Sequence, residues 1–351
     1  MIYEFYQAKE KNIHGGRQVV TEHEIRSQAP RWCVSEATDA DQHAHNLRDW
    51  QQEYDQLSAG RFYGRIDEVA VPSLQVFREY TSQSLHQHCN VWPDSVWLGF
   101  ASAPQGSEDV CRINGQSVSA QELMCRPGNC DFELLTPDDF HIYGIVVSQR
   151  LLMDTADVQG VEIRDGMWSE PRRHWHNGKL QMLRHIMGRM FAGNAGRPGV
   201  IHQDMLLGSV LEVLGDGEAR STLQNTTFAR RKAVVERVQE YLAAHPGESI
   251  TITDLCRLTH VSRRTLQYSF ETVLGLSPLK YLRLSRLNNM RRALLEGLGE
   301  DETIASKSSE WGFWHAGQFA HDYRQLFGET PSQTLNRAHA GARNNGIADL
   351  N

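Results

Sequence analysis

The chain has 351 residues, with 36 lysines and arginines against 43 aspartates and glutamates, for a formal net charge of −7. That length suits two domains, each able to bury its own core. A 40% hydrophobic and 23% charged composition excludes collagen-like and wholly disordered chains. No apolar run approaches the ~18 residues of a membrane span, the start lacks a secretory signal, and six cysteines are too sparse for a disulfide scaffold. A cytoplasmic protein with no membrane partner is therefore expected.

Residues 1–45 are polar and without apolar period, and predict a mobile arm. An effector-sensing and dimerisation domain is expected over 46–217. Within it, Val69–Phe77, Val96–Phe100 and Ile142–Val147 are β-rich runs punctuated by Pro72, Pro104 and Thr136-Pro-Asp-Asp139, which suggests a sandwich or barrel. Leu180, Leu183, Met187 and Met190, then Leu207, Val210, Leu211 and Leu214, recur at helical spacing and predict a helix pair, read as the dimerisation element. Residues 218–229 read as a linker.

The rest reads as helix: a domain over 230–338 and a tail over 339–351. Val234, Val235, Val238, Tyr241 and Leu242 share one side of a first helix. Ile252, Leu255 and Leu258 then precede a short turn at Thr259-His-Val261, and Ser262 is placed to cap a helix burying Leu266, Phe270 and Val273. This is a helix-turn-helix pattern, with Arg264, Gln267, Tyr268 and Glu271 facing outward. Ser277-Pro278 opens a leucine-rich helix to Glu296, about 28 Å long at 1.5 Å per residue. A second pair follows, Thr303–Glu310 and His315–Phe327, closed by Gly328 and Pro331. Two reading heads on a rigid spacer suit successive major grooves of DNA.

The charge is unevenly spread. Residues 228–351 carry net +3, so residues 1–227 carry −10, and Arg257–Arg292 holds eight basic residues against the single acid Glu271. Such a segment is an electrostatic footprint for DNA, or else a solvated helix face. Arg264 suits guanine O6 and N7 and Gln267 an adenine edge, with Ser262, Arg263 and Tyr268 beside them. Lys280, Arg283 and Arg286 read as phosphate contacts, as does Arg324, while Gln318 and His321 are base-edge candidates on the second head.

These residues resemble the AraC/XylS family of bacterial transcriptional regulators. The likeness is carried by Val261–Phe270, Leu274–Leu287, Trp311-Gly-Phe313, Phe319, Tyr323, Leu326-Phe-Gly328 and Pro331, about 100 residues in one register. Departures are Lys307, Ser308 and Ser309 in a helix usually apolar, and Gly317 and His321 in the second recognition helix. The resemblance implies an α+β chain. It would have an N-terminal β-rich, cupin-like effector domain with a helix pair, and a C-terminal all-α domain of two helix-turn-helix units joined by a linker helix. Within the family the chain is most similar to the ethanolamine-operon regulators, through Trp50–Leu57, Gln75–Thr81, Val91–Trp97, Arg126-Pro-Gly128, Leu135–Asp139 and Trp311–His315. That narrower resemblance implies an activator of ethanolamine-utilisation genes. It would respond to ethanolamine and a cobalamin (adenosylcobalamin), and act as a homodimer with RNA polymerase on a double-stranded operator.

A pocket for ethanolamine, a small cation bearing a hydroxyl, needs a carboxylate and aromatic walls. Glu79, Tyr80, Trp92, Asp94 and Trp97 supply those types in one β segment, unless the tryptophans are simply core. His43/His45, His86/His88 and His174/His176 each form His-x-His, which a strand puts on one face. No carboxylate closely follows His88, and Cys125 and Cys130 lack a second pair, so no metal is expected. Asp41-Gln-His43-Ala-His-Asn46 only approaches the cobalamin-binding Asp-x-His-x-x-Gly pattern, and no covalently bound cofactor is expected. No nucleophile elbow, phosphate-binding glycine loop or zinc-hydrolase motif appears, so the chain is not read as an enzyme. The rivals are a family member with another effector and a metal-dependent cupin enzyme fused to a DNA-binding tail.

Overall fold

A computed structural model describes residues 31–102, 109–163, 172–174, 178–192, 203–216, 218–219, 226–245, 248, 250–299 and 301–348. The N-terminal half is two packed antiparallel sheets. The larger runs β1 (Arg31–Ala37), β3 (Gly64–Val71), β4 (Leu74–Thr81), β11 (Phe140–Ser148), β6 (Ser95–Ala101), β9 (Glu122–Pro127), β12 (Arg172–His174) and β13 (Glu218–Ala219). The smaller runs β2 (Gln51–Gln56), β5 (Leu85–Asn90), β10 (Phe132–Thr136), β7 (Asp109–Ile113) and β8 (Gln116–Ser119).

Strand alternation explains why the central strands are apolar throughout. Phe77 and Trp97 point between the sheets, where Trp97 stacks on Phe132 at 4.7 Å and meets Trp50 edge-on. Val76, Val96 and Leu98 point the other way, under α2 (Gln149–Gln159), α3 (Lys179–Phe191) and α4 (Gln203–Asp216). The periodic residues Leu180, Leu183, Met187, Leu207, Val210 and Leu211 are therefore core within one chain. Of the pair expected to dimerise, Met182 and Met205 remain exposed.

Several boundaries differ from expectation. Residues 31–45 are not an arm: β1 pairs with β3 from Arg31↔Ala70 to Ala37↔Gly64, and α1 (Ala40–Ala44) packs its Ala40, His43 and Ala44 inward. An edge strand is held by its backbone ladder, so it needs no apolar period to form. The remainder of the arm, residues 1–30, lies outside the described residues. The linker expected over 218–229 includes β13 and ends in helix, since α5 spans Thr226–Ala244. The tail expected from 339 continues α11 (Pro331–Ala348).

The C-terminal half is helical. α5 packs with α6 (Ile252–Thr259) and α7 (Arg263–Leu274), around Val235, Val238, Leu255, Leu266 and Phe270. The linker helix α8 (Pro278–Glu296) leads to α9 (Ile304–Glu310) and α10 (Ala316–Phe327), whose core is Met290, Leu294, Phe319, Tyr323 and Phe327. Among the described residues, no helix is long and apolar enough to cross a membrane.

The halves meet along a polar seam. The Asn288 side chain accepts from the Gln56 amide at 2.9 Å and donates to the Gln56 carbonyl at 3.0 Å. Gln56 Nε2 and the Gly60 amide both donate to the Leu326 carbonyl, at 2.8 and 2.9 Å. Arg112 Nη1 donates to the Thr272 carbonyl at 3.0 Å, so both parts of the helical half are tied to the β half.

Candidate nucleic-acid interface and effector cleft

The first head is built by local signals. Thr251 and Asp254 form a reciprocal capping box at the start of α6. His260 takes a left-handed conformation, φ 54°, which makes the turn. Ser262 Oγ then accepts from the Thr265 amide at 3.2 Å and opens α7. Leu266 and Phe270 anchor this helix in the core, leaving Ser262, Arg263, Arg264 and Tyr268 exposed and Gln267 half-buried. The Arg264 guanidinium lies 5.4 Å from the Tyr268 ring centroid and donates to its hydroxyl at 3.3 Å. Tyr268 thus stiffens Arg264 while leaving most of its donors available. Gln267 donates to Glu271 at 2.5 Å, a bond that a base would have to replace.

The basic segment is largely engaged within the molecule. Arg257 pairs with Asp254, Arg283 with Asp322, Arg291 with Asp39 and Glu329, and Arg292 with Asp41, Glu53 and Asp55. Burial works against the charge on Arg292, but Asp55, Glu53 and Asp41 outweigh it and raise its pKa. Of the three phosphate contacts expected on α8, Arg286 is half-buried and donates to the Ile250 carbonyl at 2.8 Å. Arg283 braces α8 against α10 through Asp322. Lys280 is exposed, and with Arg283 it lines a cleft of about 860 Å³ that also includes Leu57 and Arg112 of the β half. The phosphate-binding expectation is thus least supported at Arg286, whose guanidinium serves its own domain.

On the second head, a capping box of Thr303 and Ser306 starts α9. The polar departures there are accommodated. Ser308 is buried and donates to the Ala305 carbonyl at 3.0 Å, and Lys307 pairs with Glu302 and Glu310. Gln318, His321 and Arg324 are exposed on α10, with Gln318 donating to Asp322 at 2.8 Å. Sequence reasoning passed over Trp314, which is 73% exposed just before α10. An aromatic at a turn in an apolar cluster reads as core until its neighbours are placed.

The five proposed effector residues do not converge. Glu79 is buried between the sheets, 3.0 Å from His43 Nε2 and 3.3 Å from the Tyr54 hydroxyl. Tyr80, its chain neighbour, points to the opposite face and donates to Asp139 at 2.8 Å. Trp97 is core, and Asp94 is an exposed turn residue with φ 55°. Trp92 lines a cleft of about 590 Å³, together with Arg31, Arg48, Asp49, Glu68 and Gln75. Gln75 links Trp50 to Glu68, accepting at 2.9 Å and donating at 2.9 Å, and burial raises the Glu68 pKa.

The His-x-His pairs also separate. His43 is fully buried, with Nε2 on Glu79 and Nδ1 packed against Gly64, so neither ring nitrogen is open to a cobalamin. The side chains of His174 and His176 lie outside the described residues. His86 and His88 do meet a carboxylate, Glu133, brought by strand pairing from a distant segment. No carboxylate closely follows His88 in sequence, and the strand register that brings Glu133 to it is not visible in the sequence alone.

A family model described as a helix-turn-helix domain matches residues 255–337. The probable thc operon regulatory protein of Rhodococcus erythropolis is 35% identical over 102 residues, 29% of this chain and 31% of that protein. The XylDLEGF operon transcriptional activator 2 of Pseudomonas putida is 32% identical over 115 residues, 33% of this chain and 73% of that protein. A solved structure of a probable AraC family transcriptional regulator from Rhodopseudomonas palustris is 37% identical, covering 30% of this chain and 97% of that one, with a TM-score of 0.28. The chain spans about a third of the length of the first curated relatives it matches. With its helix-turn-helix match and its likeness to the XylDLEGF operon transcriptional activator 2, of which it covers 73%, the chain belongs to the AraC/XylS family of transcriptional regulators.

Proposed function

We propose that the protein is a sequence-specific transcriptional activator of ethanolamine-utilisation genes, responding to ethanolamine together with a cobalamin. The observation that carries the DNA-binding part is the solvent-facing surface of α7. Arg263, Arg264 and Tyr268 project from a helix whose other face is locked into the core. Gln267, Gln318 and His321 are the further base-edge candidates, and Lys280 and Arg324 the phosphate contacts. The partner is a double-stranded operator, with RNA polymerase recruited beside it in the cytoplasm. A homodimer is proposed through the outer side of the helix pair, where Met182 and Met205 are exposed.

The ethanolamine part rests on resemblance. The cleft that suits the ligand holds Glu68, Asp49 and Trp92, a carboxylate pair and an aromatic wall. This replaces Glu79, whose carboxylate is already spent on His43 and Tyr54. The described histidine nearest the cobalamin pattern, His43, does not fit an axial role, so no step is assigned through that group.

The mechanism follows from the seam. A ligand that binds differently to two arrangements of the halves shifts their populations. The ties of Gln56 and Arg112 to the reading heads, and of Arg292 on α8 to Asp55 of β2, are the contacts that would differ. A second reading keeps the family and changes the effector: Arg31 and Arg48 line the same cleft and suit a carboxylate.

Gel-shift titration of the full chain on DNA upstream of ethanolamine-utilisation genes, with and without ethanolamine and adenosylcobalamin, tests the proposal. A change in affinity of about 5- to 150-fold is expected. Unchanged affinity and unchanged transcription would overturn the effector assignment, and calorimetric binding of a small aromatic acid instead would favour the second reading.

A further inference from the structure

His86 and His88 lie on one face of β5, and the register sets His88 opposite Glu133 of β10 and Glu53 of β2. Their strand neighbours Leu85, Cys89, Phe132 and Leu134 point into the core between the sheets. The two imidazoles and the carboxylate therefore stand on the outer face of the small sheet, against the helical half. The His86 ring lies 6.2 Å from that of Tyr281 on α8.

The donors are already gathered. His86 Nε2 is 3.1 Å from Glu133 Oε2, His88 Nδ1 is 3.9 Å from Glu133 Oε1, and the imidazole centroids are 4.4 Å apart. One ligand atom from each residue can be chosen so that all lie within 4.8 Å of one another. Two donors about 2.0–2.2 Å from one zinc ion stand roughly 3.4 Å apart in a tetrahedron, so small side-chain rotations suffice. Two nitrogens and one carboxylate suit zinc-like transition metals rather than calcium or magnesium, which favour oxygen. The neighbouring acids Glu53 and Asp55 are already paired with Arg292, leaving Glu133 as the local anion. A cleft of about 930 Å³ lined by His88, Glu133, Asn114 and Gln239 gives an ion access and room for water in the fourth position.

We propose that His86, His88 and Glu133 bind one divalent transition-metal ion of the zinc class at the seam between the β half and the helix-turn-helix half. The site lies outside the sheet interior and does not depend on the ethanolamine reading. An ion there would fasten β5 to β10 directly behind Tyr281, where the linker helix rests, and so stiffen the seam.

Metal-stripped full-length protein would be titrated with Co(II), followed by its ligand-field absorption, and with Zn(II), followed by dialysis and elemental analysis. One ion per chain is expected, with a rise in the unfolding midpoint and no displacement by millimolar Mg(II). His88→Ala, at a half-exposed position, and Glu133→Gln should each weaken binding at least tenfold while keeping the wild-type circular dichroism. Two variants guard against misfolding of either. Substoichiometric binding in the wild type, or equal binding in wild type and both variants, would overturn the site.

Discussion

Arg291→Ala is expected to destabilise the full chain by about 3–5 kcal/mol, the range for removing one partner from a buried ionic group. The Arg291 side chain is 8% exposed and sits between Asp39 of the β half and Glu329 after α10. Its guanidinium lies 4.5 Å from the Phe327 ring centroid and donates to the Tyr323 hydroxyl at 3.4 Å. Burial alone would lower its pKa, but Asp39, Tyr323 and Glu329 reverse that and hold the charge in place. Alanine would leave the buried Asp39 carboxylate without its cation and Glu329 with Arg337 alone. Asp39 also caps α1, accepting from the Gln42 amide at 3.0 Å, so its reorientation would loosen that helix. Lysine should rescue poorly, because it lacks the planar fork that spans both acids. Urea unfolding of wild type, Arg291→Ala and Arg291→Lys checks this, with Arg257→Ala as a surface control of near-wild-type stability. Equal midpoints for Arg291→Ala and the control would refute the role of the clamp.

Gly128→Ala is expected to cost about 3 kcal/mol, the upper end of the usual overpacking range. A methyl group built there would lie 2.1 Å from the Trp92 carbonyl oxygen and 2.6 Å from Ser95 Oγ. The obstacle is backbone, and it is fixed: the Gly128 amide donates to the Ser95 carbonyl at 2.8 Å, and Ser95 Oγ donates to the Trp92 carbonyl at 2.6 Å. Relief requires moving the turn that carries Trp92, a wall of the proposed effector cleft. Loss of effector response should therefore accompany the lowered unfolding temperature. A variant with wild-type unfolding temperature would contradict the close approach.

The helical half was the more legible part of the sequence. Its helices carry apolar residues at a single period, and Thr251, Ser262, Ser277 and Thr303 mark where they start. What the local pattern could not reveal was the use of charge. Arg291 and Arg292 counted towards a DNA footprint, yet their partners Asp39, Asp41, Glu53 and Asp55 lie more than 230 residues away in the chain. The small sheet was hidden for a related reason. β2 and β5 alternate polar residues on the face that meets the helices, so neither shows a clear apolar run. The effector set failed on alternation itself, since adjacent Glu79 and Tyr80 on one strand must face opposite ways.

Selection of bound duplexes from a random pool, using the full chain and its Arg264→Ala variant, tests sequence-specific DNA reading most directly. The wild type should enrich one site with two half-elements about one helical turn apart, one for each head. Arg264→Ala should lose preference at one base position, worth roughly 1–3 kcal/mol, and keep the others. Enrichment of no site by the wild type, or of the same site with the same preferences by both proteins, would contradict the assignment of α7 as the reading helix.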